Sequence, residues 1–165
     1  MGLTFLIGCG EEHKPEENEI EWNKEISSEY SNAIAEDEEV DIQVFLEMRP
    51  EWKMKRTGSG LRYWVYESGD GEMPKSGEVA DVEIQISLLN GTRCYGTEED
   101  EYIEVAVDKS QAETGVQEAL KLLRVGDKAK LIIPSHIGHG LLGDLDKIPP
   151  MHTLVMDIHL LGIKK

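Results

Sequence analysis

Four histidines, His136, His139, His152 and His159, fall in the last third of this 165-residue chain, and only two cysteines occur, Cys9 and Cys94. A metal site would need ligands at matched spacing, and no second ligand is spaced convincingly about any of the four. They read as structural or solvent-facing, with His159 turned outward on a strand and His152 just past a proline pair. His139 stands apart because it sits in the loop Gly138-His139-Gly140, where a substrate contact and a structural role weigh about equally. Its ring can donate a hydrogen bond. Cys94 reads as a small buried hydrophobe rather than a nucleophile. The glycine-rich loop that carries His139 ends on the rigid Ile148-Pro149-Pro150.

Alternating strands must hold that loop. Ala129, Leu131 and Ile133 lead into it, and a second alternating strand after it closes the chain. Upstream, Leu61 to Tyr66 reads as a first strand, and Val82, Ile84, Ile86 and Leu88 alternate with Glu83, Gln85 and Ser87. Asn90-Gly91 signals a tight turn into Arg93 to Tyr95, and Ile103, Val105 and Val107 mark a further strand beyond the acidic loop at Glu98 to Glu101. Thr114 with Gln117 three residues on predicts a capping box. The helix it opens has an apolar stripe of Val116, Ala119, Leu120 and Leu123, with Gly126 as its stop. The fold class expected is α+β.

Composition narrows the partners. A net charge of -16 and a pI near 4.6 leave no basic patch for phosphate, so nucleic acid is excluded as a partner. No apolar run approaches the roughly 20 residues that span a bilayer. Leu3, Phe5, Leu6 and Ile7 precede Cys9 in a stretch that resembles a bacterial lipobox, although no Lys or Arg comes before it. The expectation is a truncated lipoprotein signal over 1–9, with the start placed too far downstream and Cys9 as the lipidation site. The alternative is an apolar N-terminus without modification. An acidic tether follows over 10–26, then a helical segment over 27–50 with apolar positions Ile34, Val40, Val44, Phe45 and Met48. Its acidic run Glu36 to Glu39 suits a helix starting nearby, its apolar stripe faces its own domain, and Pro50 ends it.

From residue 57 to 165 the order of motifs resembles FKBP-type peptidyl-prolyl isomerases. Ser59-Gly60-Leu61, Gly69-Asp70-Gly71, the Asn90-Gly91 hairpin and the strand, loop, Ile-Pro-Pro and final-strand order carry that resemblance. The lipobox-like start and the N-terminal helix also look like the gliding-motility-associated isomerase lipoproteins of Bacteroidota. The family implies an antiparallel, curved sheet wrapped around one central helix, here with an amphipathic helix before it. It implies rotation of Xaa-Pro bonds in proline-containing polypeptides of the cell envelope, without cofactor or metal. Membrane contact is expected only through a lipid at Cys9.

Rotation about such a bond faces a barrier of about 18–20 kcal/mol, set by amide resonance. An apolar pocket with one or two aimed donors lowers it by stripping water from the carbonyl. Carried across, the family's pocket falls on Ile84, Cys94, Tyr95, Ile103, Ala112, Glu113, Val116, Gly138, His139, Ile148 and Met156. The resemblance gives the catalytic roles to His139, the backbone N–H of Glu113 and Tyr95. Tyr95 either restores an aromatic wall or caps the hairpin. Several aromatic walls of the family are missing, so the pocket is expected to be wider and macrolide binding weaker. The alternative is a proline-peptide binding module without turnover. Gly140 reaches Ile148 directly, leaving no room there for the chaperone insert of some bacterial relatives.

Overall fold

The computed structural model describes residues 24–165, with side-chain surroundings from residue 32 onward. Cys9 and most of the expected tether lie outside the described residues. Period-two alternation produces seven antiparallel strands. They are β1 (Lys55–Arg56), β2 (Arg62–Glu67), β3 (Val79–Leu88), β4 (Arg93–Gly96), β5 (Ile103–Ala106), β6 (Lys128–Ile133) and β7 (Leu154–Lys164). The order across the sheet is β1-β2-β6-β7-β3-β4, and β5 also pairs with β3. One edge of β3 runs along β7, while the other takes β5 over Val79 to Val82 and β4 over Gln85 to Ser87. The chain between β4 and β5 therefore leaves the sheet at one edge.

Register decides which side chains face the core. Met156 on β7 lies opposite both Ile86 on β3 and Leu131 on β6, so all three point to one face. Against that face lies the short helix α2 (Thr114–Leu120). Val116, Ala119 and Leu120 of α2, with Leu123 just beyond it, are buried among Val82, Ile86, Leu131, Ile133, Met156 and Ile158. Each such Leu or Ile contributes about 1.5–3 kcal/mol on leaving water. The sheet wrapped on one central helix is the architecture expected of the α+β reading.

The other face is covered as well. Ile132 and Val155 alternate with the core-facing residues, and on them packs α1 (Lys24–Glu47) through Ile42 and Phe45, with Leu46, Trp52, Met54 and Leu89 around them. The Phe45 ring meets Trp52 edge-on at 5.5 Å, and the Arg49 guanidinium lies 3.6 Å above Phe45.

Several local expectations are corrected here. Of the α1 stripe read from apolar positions, Phe45 is buried and Ile34 half-buried, but Val40, Val44 and Met48 are exposed at 61%, 51% and 68%. The buried side runs through Glu38, Ile42 and Phe45, at helical spacing but with a carboxylate in it. Because α1 spans Lys24–Glu47, the acidic run Glu36 to Glu39 sits mid-helix, where Glu38 accepts the Ser135 N–H and Glu39 pairs with Arg62. The helix also ends at Glu47, before Pro50. At α2 no capping box forms. Glu113 occupies the N-cap without a side-chain cap bond. Gln117 instead turns back to the 106–110 turn, meeting the Asp108 N–H at 2.8 Å, the Ser110 Oγ and the Ala106 carbonyl. Nor does Gly126 end α2, which stops at Leu120 with Lys121 as C-cap. Gly126, at φ +93°, serves the later turn where its N–H reaches the Leu160 carbonyl at 2.7 Å.

Candidate functional site

The site is assembled from the end of the β3–β4 hairpin, the start of α2 and the loop between β6 and β7. Asn90 and Gly91, the latter at φ +87°, turn β3 into β4 and place Cys94 and Tyr95 on opposite sides of the short strand. Cys94 is buried, and its Sγ lies 3.6 Å from the Lys147 carbonyl, so the loop end packs on it. Burial, with the nearby Asp144 charge, pushes its thiol up, partly offset by Lys147. That is inert thiol chemistry, in keeping with a small hydrophobe.

Tyr95 turns the other way and donates its phenolic hydrogen to Asp144, with Asp146 at 3.3 Å. Asp144 was absent from the sequence-based set. Its Oδ1 accepts the N–H groups of Asp146 (2.9 Å) and Ile148 (2.7 Å), so one carboxylate shapes the turn and anchors Tyr95. Desolvation alone would raise Asp144, but the Tyr95 hydroxyl, the two backbone donors and the charge of His139 bring it down to about 2. Tyr95 is pushed up to about 12, chiefly by its bond to Asp144, then by desolvation and the acidic neighbours. The run Gly143-Asp144-Leu145-Asp146 carried the turn signal by which Asp144 could have been found.

His139 and Glu113 are brought together. His139 Nε2 lies 2.7 Å from Glu113 Oε1, with both side chains about a quarter exposed. The Glu113 carbonyl accepts the N–H groups of Val116 and Gln117, which opens α2. The Glu113 N–H donates to none of the described residues. Around these groups the apolar residues differ in depth. Cys94, Val116, Ile148 and Met156 are 2–5% exposed and belong to the main core, so they form a packed floor. Ala112 and Gly138 are half-buried, and Ile103, opposite Val82 at the start of β5, is exposed at 41%. Ile84 packs partly on the core, yet also borders a separate acidic concavity of about 430 Å³ with Glu83, Gln85, Thr97 and His159.

The remaining histidines are tied locally. His136 Nε2 is 2.8 Å from the Ser59 carbonyl, His152 Nδ1 is 2.8 Å from the Pro150 carbonyl, and His159 Nδ1 is 3.0 Å from Glu83 Oε2. Among the described residues no three His, Cys, Asp or Glu side chains are grouped to hold a metal ion. Nor is any helix among them long and apolar enough to cross a membrane.

Known proteins share this arrangement of sequence and fold. The sequence pattern described as FKBP-type peptidyl-prolyl cis-trans isomerase matches residues 70–161, more than half the chain. The probable isomerase FkpA of Neisseria meningitidis is 34% identical over 110 residues, which cover 67% of this chain and 40% of that protein. FkpA of Escherichia coli is 34% identical over 112 residues, with the same shares. The outer membrane protein MIP of Legionella longbeachae is 30% identical over 107 residues, covering 65% of this chain and 46% of its own. The chain thus spans less than half the length of these relatives. Among solved structures, E. coli FkpA superposes with a TM-score of 0.65 at 30% identity, over 85% of this chain and 67% of that one. A Pseudomonas syringae peptidyl-prolyl isomerase gives 0.68 at 21% identity, over 82% and 96%, a likeness of fold. Family pattern, relatives and fold agree with one another, and the chain belongs to the FKBP-type peptidyl-prolyl cis-trans isomerase family.

Proposed function

We propose that this chain accelerates cis-trans rotation about Xaa-Pro bonds in polypeptide substrates. The observation that carries the reading is Glu113, whose backbone N–H has no acceptor among the described residues, beside a floor of Val116, Ile148 and Met156. A carbonyl drawn out of water onto that donor holds less amide resonance, and the prolyl ring rests on apolar surface while the bond twists. No nucleophile or proton transfer is needed.

The role of His139 is conditional on its protonation. With Nε2–H engaged by the Glu113 carboxylate, Nδ1 donates to a substrate only when the ring carries a second proton. His139 then adds a second donor to that of Glu113. Tyr95, held by Asp144, serves as a wall in this reading and not as a proton donor to substrate. Ile84, Cys94, Ile103, Ala112 and Gly138 complete the lining. His139→Ala, tested on a refolding protein limited by a prolyl bond, should lower the rate while leaving the far-ultraviolet spectrum unchanged. Equal rates would leave the donor role to the Glu113 backbone alone.

A second reading has its own support, because Cys94, Val116, Ile148 and Met156 give a floor without an aromatic ring. On that reading the chain binds prolyl segments without turning them over. Saturable binding of a proline peptide, with an unchanged isomerisation rate, would select it.

The envelope is the proposed setting, supported by the likeness to the Legionella outer membrane protein and by the residues leading to Cys9. Lipidation of Cys9 and a role like that of gliding-motility isomerase lipoproteins belong to the same proposal. Metabolic labelling with a fatty acid should mark the wild type and not Cys9→Ser; label on neither would remove the anchor.

A further inference from the structure

Both feet of the glycine-rich loop are held by one side chain of α1. Glu38, only 8% exposed, accepts the Ser135 N–H at 3.0 Å and the Thr153 hydroxyl at 2.7 Å through Oε1, and the Ser135 hydroxyl at 2.7 Å through Oε2. Ser135 is the second residue after β6, and Thr153 is the last before β7. Between them lie His139, Asp144 and Ile148. We propose that Glu38 is a positioning residue for the site, clamping the two ends of the loop so that His139 stays opposite Glu113. Its activity readout rests on the isomerase reading above.

The energetics favour a dedicated role over incidental packing. Taking a carboxylate out of water costs several kcal/mol unless hydrogen bonds replace the lost hydration. Among the described residues no Lys, Arg or His lies within ion-pair distance of Glu38, so its three neutral donors supply that replacement. An apolar side chain between Ile34 and Ile42 would avoid the cost and extend the buried stripe. It could not hold Ser135 and Thr153 together.

The clamp reaches the site through few intermediates. The Ser135 carbonyl accepts the N–H groups of Gly138 (3.0 Å) and Gly140 (2.8 Å), the two residues that flank His139. The Gly140 carbonyl in turn accepts the Met151 N–H at 2.9 Å, joining the ingoing and outgoing limbs. Apolar packing does not duplicate this link. A cavity of about 300 Å³ opens between Ile34 and Ala35 of α1 and Gly140 and Leu141 of the loop. The carboxylate therefore bridges helix and loop where side-chain contact is incomplete.

The test compares Glu38→Ala and Glu38→Gln in the full chain with the milder Ser135→Ala and Thr153→Val. Amide exchange at Gly140 and Met151 should quicken by about tenfold or more in Glu38→Ala, because the limbs open locally without global unfolding. The imidazole resonances of His139 should move, and kcat on a prolyl peptide should fall about tenfold with KM less affected. Glu38→Gln, which keeps one acceptor, should recover part of each change, and the milder variants should follow in the same direction. Lowered stability with unmoved His139 resonances and unchanged Gly140 and Met151 exchange would overturn the proposal and leave Glu38 purely structural. If Glu38→Ala does not fold, Ser135→Ala decides by the same readouts. If the wild type shows no turnover the isomerase reading fails, while exchange and imidazole signals still judge the clamp.

Discussion

Tyr95 on the hairpin donates to Asp144 on the glycine-rich loop, a bond that spans 49 positions in sequence and closes one side of the site. Asp144 spends its other oxygen on the N–H groups of Asp146 and Ile148, so hairpin, turn and the Ile-Pro-Pro segment share one carboxylate. On the same loop His139 meets Glu113 at 2.7 Å.

The bond predicts a late tyrosine titration. Tyr95 is raised to about 12 mainly by its bond to Asp144, and Tyr66 to about 12 by burial together with its bond to Asp157. Neutral tyrosine is thus favoured in the fold, a contribution present below about pH 10, the ordinary value, and lost as pH rises toward 12. Phenolate absorbance should show a step near pH 12 that shrinks in Tyr95→Phe. Amplitude lost near pH 10 in that variant, with the step near pH 12 intact, would mean that the bond does not form.

Acid acts on the same pair from the other side. The Asp144 carboxyl is held down to about 2, so its contribution is complete above about pH 4 and is lost as pH falls through its folded value. The stability difference between wild type and Asp144→Asn, read by urea denaturation, should be largest near neutrality and shrink between pH 4 and 2. A difference independent of pH would contradict the assignment.

Gly143 is where the loop tolerates no side chain. It lies at φ +64°, and a Cβ there would stand 2.1 Å from the Ile148 carbonyl oxygen. Gly143→Ala should cost more than about 1 kcal/mol from the left-handed backbone alone. It should also weaken binding of a proline peptide by displacing Ile148. Unaltered denaturation and binding would show that the turn adapts.

Gln117 replaces the expected capping box with a bond of longer reach. Because it meets the Asp108 N–H, the Ser110 hydroxyl and the Ala106 carbonyl, Gln117→Ala should destabilise the fold by about 1–3 kcal/mol. Thr114→Ala should change stability far less, since no capping bond is formed. A larger loss in Thr114→Ala would restore the capping box.

What could be read from residue types is the sheet. Alternation at Val82 to Leu88 and at Ala129 to Ile133 reports directly which side is buried, and Asn90-Gly91 names its turn chemically. The helices were legible only in part. Val40, Val44 and Met48 form an apolar row that faces solvent, while the buried row passes through Glu38, whose partners lie 97 and 115 positions away. A hydrophobic pattern cannot register a carboxylate buried by distant hydroxyls. Gln117 was misassigned for a related reason, because spacing reports a possible local bond and says nothing of a competing turn. At the site, His139 and Glu113 were named separately, but their pairing and the Tyr95–Asp144 bond depend on loop geometry that no local period encodes.

The most direct test is the exchange rate between cis and trans forms of a short proline peptide, followed by magnetisation-transfer NMR with and without the full chain. The account predicts exchange that rises in proportion to protein concentration and is reduced by His139→Ala. Exchange at the uncatalysed rate, with the peptide bound and the protein folded, would contradict it.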